Sequence, residues 1–263
     1  MKTMTHHEND RQDYETRAIR LVCRAAQLVL ENGGEVYRVE ETGMRMANGF
    51  GLSDVNIVAY PTSIFVDACG HTRVRRITRR GTNTTRLAMI NDVSRRVEHG
   101  DMELDDAERV LEDIAGGYAV SQNALMLGYG VSAAGFALLL GGKAGALIAA
   151  FIFGVIVQAV QPLFSKMAMG SLFGNFTGGL ITAVLAEAGA IIFPYAGVNA
   201  AIIGGIMPLL TGLLMTNAVR DTMYGDLVSG VVRAVEALLL AGSVALGVYV
   251  GLKLIAMMGG VLL

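Results

Sequence analysis

Residues 144–164 read AGALIAAFIFGVIVQAVQPLF, a run without one formal charge. A bilayer core takes about 20 mostly apolar residues as a helix. The run is continuous rather than alternating, so it predicts a spanning helix and excludes the strand of an outer-membrane barrel. Gly141-Gly142-Lys143 makes a short turn before it, and Pro162, Ser165 and Lys166 mark its end. On either side the same reading finds four more apolar stretches, at about 120–140, 172–193 (stopped by Pro194), 197–216 and 228–250, with a weakly amphiphilic tail to Leu263. The sequence therefore predicts an α-helical integral membrane protein with five transmembrane helices in residues 118–263.

The charge distribution supports that division. The chain has 263 residues, 17% charged and 53% hydrophobic, with a mean hydropathy of +0.49. A soluble domain carries about 25% charged residues. Residues 1–117 hold 16 Lys/Arg and 19 Asp/Glu, against 5 and 4 in residues 118–263. A single soluble globule is excluded, because the second half could not hide its apolar surface from water. Cys23 and Cys69 are the only cysteines, so this is no disulfide scaffold. A net charge of −2 argues against a basic nucleic-acid binder. The first 20 residues are polar and lack an apolar core segment. That predicts no cleavable signal peptide and a cytoplasmic N-terminal domain.

Residues 1–117 read as an α+β domain, long enough to have its own core. Tyr14–Leu30 predicts a helix with Ile19, Val22, Ala26 and Val29 on one stripe, ended by Asn32-Gly33-Gly34. A second helix covers Glu35–Phe50. Short strands are predicted at Asn56–Tyr60, Ser63–Ala68 and Thr72–Thr78, with Pro61 and Gly70 at the breaks. Helices follow at Asn83–Glu98 and Asp105–Ile114. His6 and His7 fall in a start expected to be disordered, and His71 and His99 in loops, so no metal site or cofactor is expected. No nucleophile-elbow, P-loop, zincin or C-x-x-C pattern occurs. Arg73, Arg75, Arg76, Arg79 and Arg80 form a basic cluster. It reads as a contact for anionic headgroups or an anionic ligand, or as a solvated strand face paired with the domain's own acids.

Ionisable residues within the apolar half are few: Glu187, Arg220, Asp221, Asp226, Arg233 and Glu236. A charge in the membrane core is costly and usually faces a cavity or a partner. Glu187 is a candidate proton carrier or substrate ligand; the plainer alternative is a protonated acid bonded to a neighbouring helix. Arg233 and Glu236, three apart on one helix face, can pair. Gly141/Gly145, Gly174/Gly178 and Gly247/Gly251 permit close helix contact. Gln158, Gln161, Asn175, Asn199 and Asn217 suggest a polar path. With the polar half inside, Lys166, Arg220 and Arg233 fall on the inner side. Lys143, Lys253 and the Pro194-Tyr195-Ala196 turn then fall outside. Five helices place the C-terminus outside, as in one half of an inverted-repeat transporter.

Three segments carry a family resemblance. They are Gly33-Gly34-Glu35-Val36-Tyr37-Arg38-Val39-Glu40-Glu41-Thr42; Pro61-Thr62-Ser63-Ile64-Phe65 with the following Thr72–Ile77; and Met207-Pro208, Thr216-Asn217-Ala218-Val219-Arg220-Asp221, Gly225-Asp226 and Ser229–Arg233. Together they resemble the threonine/serine exporter (ThrE) family, in its split form of YjjP type. The resemblance implies a multi-pass protein of the bacterial inner membrane that exports small amino acids with the proton-motive force. For the split type it implies succinate export instead, and a YjjB-like small membrane protein as second half. Homo- or hetero-oligomeric assembly is left open. Gly34, Glu35, Tyr37, Arg38, Glu40, Pro61 and Thr62 carry the N-terminal motif. Similar sequences often read Pro-Gly where this one has Thr211-Gly212, which implies a softer break in the fourth helix. A Pro-interrupted helix frees backbone groups at membrane depth. Pro208, Thr211, Gly212, Thr216 and Asn217 could then contact substrate, Arg220 could attract a carboxylate, and Asp221 could pair with Arg220 or take a proton. A membrane-anchored enzyme or sensor with an active N-terminal domain is the competing reading.

Overall fold

Ile19, Val22, Ala26 and Val29 lie at helical spacing, and all four are buried. They belong to α1 (Lys2–Glu31), the helix around which the first unit is built. The computed structural model describes residues 2–78, 80–117, 120–166, 170–192 and 197–262. The chain divides into two compact units: Met1–Tyr118 with Leu214–Ala234, and Ala119–Leu213 with Val235–Leu263. Residues 214–234, which the sequence assigns to the membrane half, thus fold with the polar N-terminal residues.

In the first unit α1 is followed by α2 (Val36–Gly49), β1 (Asn56–Tyr60), β2 (Ser63–Ala68), β3 (His71–Arg76), α3 (Thr84–Glu98) and α4 (Leu104–Gly116). The strands form an antiparallel meander in the order β1-β2-β3. Ile64, Val66 and Ala68 alternate inward from β2 and join Val36, Val39, Met46, Ile90, Val93 and Leu111 in one core. The Asn83 side chain caps α3 by accepting the Arg86 amide at 3.0 Å.

Two expectations for this unit change. The expected disordered start is helical: α1 begins at Lys2, and residues 2–13 contain no Gly or Pro to stop it. His71 opens β3 opposite Ala68 instead of lying in a loop. His99 is the C-cap of α3, where its Nδ1 lies 2.6 Å from the Arg95 carbonyl oxygen. Arg79 of the basic cluster lies outside the described residues.

The second unit contains α5 (Gln122–Leu139), α6 (Ala144–Lys166), α7 (Ser171–Ile192) and α8 (Val198–Ile206). A 3₁₀ turn (Met207–Leu209) follows α8. The chain runs on through α9 (Gly212–Met223) into α10 (Leu227–Leu262), whose residues from Val235 belong to this unit. Its interior is made largely of small residues: Ala133, Ala137, Ala146, Ala150, Ala186 and Ala201 are fully buried. Large apolar residues lie outside, with Val131, Leu139, Ile148 and Leu246 each more than 60% exposed or close to it. That inversion suits lipid, where packing depends on close backbone approach instead of hydrophobic exclusion. A Cβ on Gly204 would lie 2.6 Å from the Ala133 carbonyl oxygen, and one on Gly179 2.5 Å from that of Val244. A Cβ on Gly247 would come closer still to the Phe176 carbonyl oxygen. The glycines serve packing.

Among the described residues two helices are long and apolar enough to cross a membrane, over Ala144–Leu163 and Leu227–Met258. A third span is obtained only if Val198–Leu209 and Gly212–Met223 count as one, bent by 53° at the break. The fourth predicted helix is therefore not continuous: after the 3₁₀ turn that contains Pro208, Leu210 takes an extended conformation with ψ +123°. Nor does Pro162 end α6: it sits inside the helix. The Gln158 carbonyl that Pro162 leaves without its helical donor accepts Gln122 Nε2 of α5 at 3.0 Å. The fifth helix continues through the predicted tail to Leu262. The turn Pro194-Tyr195-Ala196 and the side chain of Lys166 lie outside the described residues.

Candidate functional site

A reversal of the chain at Asn32-Gly33-Gly34 builds the site. The Gly34 amide donates to the Val29 carbonyl at 2.9 Å, and Asn32 Nδ2 to the Leu28 carbonyl at 2.7 Å. Gly33 adopts φ +88°, open to glycine at little cost. At Gly34 a Cβ would come within 2.5 Å of Val29 Cγ1. The turn therefore presents the Gly33 and Gly34 carbonyls outward and starts α2 at Val36, with Glu35 as an N-cap whose side chain makes no cap bond.

The partners come from residues 214–234 of the same unit. Asn217 Nδ2 donates to the Gly33 carbonyl at 2.9 Å, and Arg233 Nη2 to the Gly34 carbonyl at 2.9 Å. Asp221 Oδ1 accepts the Val36 amide at 3.1 Å, so a carboxylate from α9 caps the N-terminus of α2. Asp221 Oδ2 lies 2.9 Å from Arg233 Nε. Both side chains are buried, at 0% and 5% exposure, which makes the ion pair expensive to break from one side. Glu35 is 6% exposed and pairs with Arg220, whose side chain stays 45% exposed; Arg38 Nε lies 3.6 Å from the second Glu35 oxygen. Tyr37 stacks on Tyr224 with ring centroids 4.1 Å apart and planes 12° from parallel. Gly225 (φ +96°) ends α9 and turns the chain into α10. A Cβ on Gly230 would lie 2.9 Å from the Ala218 carbonyl oxygen, so the two helices approach closely there.

Arg220 and Asp221 are thus neighbours in sequence with different partners, because consecutive helical residues point about 100° apart. Glu40 holds another junction: its Oε1 accepts the Ala59 amide of β1 at 3.0 Å. Burial pushes the Glu40 carboxyl above its ordinary value, the Ala59 amide opposes this, and the Asp226 carboxylate adds to the rise. Pro61 is buried and Thr62 exposed in the β1–β2 turn, where the Thr62 carbonyl accepts the Ile77 amide at 2.8 Å.

The second unit holds the helix break. Leu209 is 4% exposed, and its carbonyl accepts Asn175 Nδ2 of α7 at 3.3 Å. One turn further along α7, a Cβ on Gly178 would lie 2.7 Å from Leu209 Cδ1. Asn175 and Gly178 therefore seat the residue after Pro208. Thr211 and Gly212 are exposed just beyond it, as is Thr216 in α9; Pro208 is half-buried. Glu187 is half-buried in α7, with no hydrogen bond or ion pair among the described residues. Asp226 and Glu236 are half-buried. No group of three or more His, Cys, Asp or Glu among the described residues could hold a metal ion.

The sequence pointed to Glu35, Arg220, Asp221 and Arg233 but not to their pairing. It missed Tyr224, whose signal was a second tyrosine beside the Gly225-Asp226 turn. It also missed the backbone groups of Gly33, Gly34 and Val36, which no side-chain pattern displays.

A family model described as "Putative threonine/serine exporter" matches residues 20–255. A Mycobacterium tuberculosis protein named "Probable threonine/serine exporter" is 24% identical over 251 residues, which are 92% of this chain and 47% of that protein. A Corynebacterium glutamicum protein named "Threonine/serine exporter" is 26% identical over 182 residues, 66% of this chain and 36% of that one. The chain spans about half the length, or less, of these relatives. Both names describe transporters and not enzymes. No solved structure matches.

Two outcomes follow from the geometry. Asp221→Asn leaves Arg233 buried opposite a neutral amide and should cost about 3–5 kcal/mol. The Asp221→Asn/Arg233→Met pair should cost less than the two single changes added together. Thermal unfolding in detergent measures both; strictly additive losses contradict the pairing. Glu40, with its carboxyl raised in the folded state, contributes stability that is full below the ordinary glutamate value of about 4.3. That stability is lost as pH rises through the folded value. Glu40→Gln keeps an acceptor for Ala59, so the fall in melting temperature with rising pH should be shallower in the variant. An unchanged slope contradicts it.

Proposed function

Because this chain belongs to the threonine/serine exporter family, we propose that it is one component of a secondary exporter for small amino acids, threonine and serine first among them. Its apolar half crosses the bacterial inner membrane five times, with the N-terminus in the cytoplasm and the C-terminus outside. A YjjB-like membrane subunit works with it as the partner component. The observation that carries the reading is the pairing of Arg220 with Glu35 beside an otherwise buried ion-pair network.

A substrate carboxylate is chemically equivalent to the Glu35 carboxylate. Arg220 is the one exposed cation of the cluster drawn from α9 and α10, so it can exchange one carboxylate for the other. Displacing Glu35 loosens the turn from α9 without exposing Asp221 or Arg233, which stay buried as a fixed frame. Asp221 thus positions and does not carry the proton. The half-buried Glu187 is the group that takes one, since it stands in an apolar helix without a counter-charge among the described residues. The broken helix at Pro208 offers backbone groups near Thr211 and Gly212 to a zwitterion.

The test is efflux from cells loaded with a threonine-containing dipeptide, co-expressing this chain and the second subunit. Threonine should leave faster than from empty-vector cells, and Glu187→Gln should lower the gain at least about tenfold at equal membrane abundance. Succinate efflux without threonine efflux would reassign the substrate to dicarboxylates. Neither leaving faster would overturn the exporter reading.

A further inference from the structure

The exporter reading makes no use of the basic cluster on β3. Arg73 and Arg75 sit opposite Val66 and Ile64 in the register, so they share the sheet face that packs towards α1. β3 is an edge strand. Beyond the buried part of that face a cavity of about 320 Å³ opens between α1, β3 and α4. That is near the lower end of small-molecule sites, about 300–1,000 Å³.

The cavity has walls of opposite sign. Arg20 and Arg24 of α1 and Arg75 of β3 line one side, and Glu108 and Glu112 of α4 the other. The two glutamates are one helical turn apart and share a face. Each already accepts one arginine: Arg17 Nη2 lies 3.0 Å from Glu108, and Arg24 Nε 3.1 Å from Glu112. A carboxylate has about four lone-pair sites, so both keep acceptor capacity. Arg20 and Arg75 make no hydrogen bond or ion pair among the described residues. Two uncommitted guanidinium groups ask for a carboxylate or phosphate. The glutamate wall repels a plain anion and accepts a cationic N–H donor. A molecule with carboxylate and ammonium on one carbon satisfies both walls, and Leu21 with the Gln27 amide leaves room for a small side chain.

We propose that this cavity binds a small zwitterionic α-amino acid, its carboxylate on Arg20 and Arg75 and its ammonium against Glu108 and Glu112. The site is separate from Arg220 and does not rest on the exporter reading. It would let this unit respond to amino-acid concentration.

The full-length chain in nanodiscs, carrying Arg220→Gln to silence the other guanidinium, is titrated with L-threonine by calorimetry. Adding Arg20→Gln and Arg75→Gln together should weaken binding at least about tenfold, and Arg75→Gln alone, on an exposed edge strand, at least about threefold. Circular dichroism should be unchanged in both. Succinate and inorganic phosphate should bind at least about tenfold more weakly than threonine. Absence of threonine binding to the parent, equal binding of phosphate, or unchanged affinity in both variants overturns the proposal. Absence of threonine efflux from cells expressing the unsubstituted chain with its second subunit, while this binding persists, would remove the exporter reading alone.

Discussion

Everything distinctive in the first unit depends on one buried carboxylate. Asp221 caps the N-terminus of α2 through the Val36 amide and neutralises Arg233, while Arg233 in turn holds the Gly34 carbonyl. A buried arginine without a counter-charge is costly, and a helix start without a cap leaves amides unsatisfied. Asp221 removes both liabilities, one with each carboxylate oxygen. The Gly33-Gly34 turn is what makes the arrangement sterically available, since a side chain at Gly34 would collide with Val29.

Around that frame the groups differ in how firmly they are fixed. Asp221 and Arg233 are sealed from solvent, whereas Arg220 and the Tyr37–Tyr224 stack stand at its exposed margin. Only the Arg220 side of its pair with Glu35 is open to solvent; the buried Glu35 keeps Arg38 at 3.6 Å when Arg220 turns to a ligand, which limits the cost of the exchange. The same turn thus combines a permanent anchor with a replaceable contact, which is what a coupling between substrate capture and a change in helix contacts requires.

The fold was legible where periodicity is strong. The stripe on α1, the alternation in β2 and the capping asparagine of α3 each follow from local rules. The broken fourth helix was only half legible: Pro208 announced an interruption, but the Leu209 carbonyl at the break is held by Asn175, more than 30 residues away in sequence. Pro162 shows the converse, an expected stop that the helix absorbs because Gln122 supplies the missing donor. In the site, Glu35, Arg220, Asp221 and Arg233 were visible as isolated charges. Their partners were not, because three of them are backbone groups, and because the Arg220-Asp221 dipeptide looks like a pair although the helix sends the two side chains apart.

In the proposed mechanism the exposed Tyr37–Tyr224 margin of the turn–helix contact opens when Arg220 accepts substrate, while the Asp221–Arg233 anchor holds. Tyr37→Cys with Tyr224→Cys, in a background of Cys23→Ala and Cys69→Ser, allows that contact to be cross-linked where the rings now stack. Threonine efflux is then measured in cells before cross-linking, after it, and after reversal with a reductant. The account predicts that the cross-linked protein loses most of its efflux and that reduction restores it. Efflux at the same rate in the cross-linked and reduced states would contradict it.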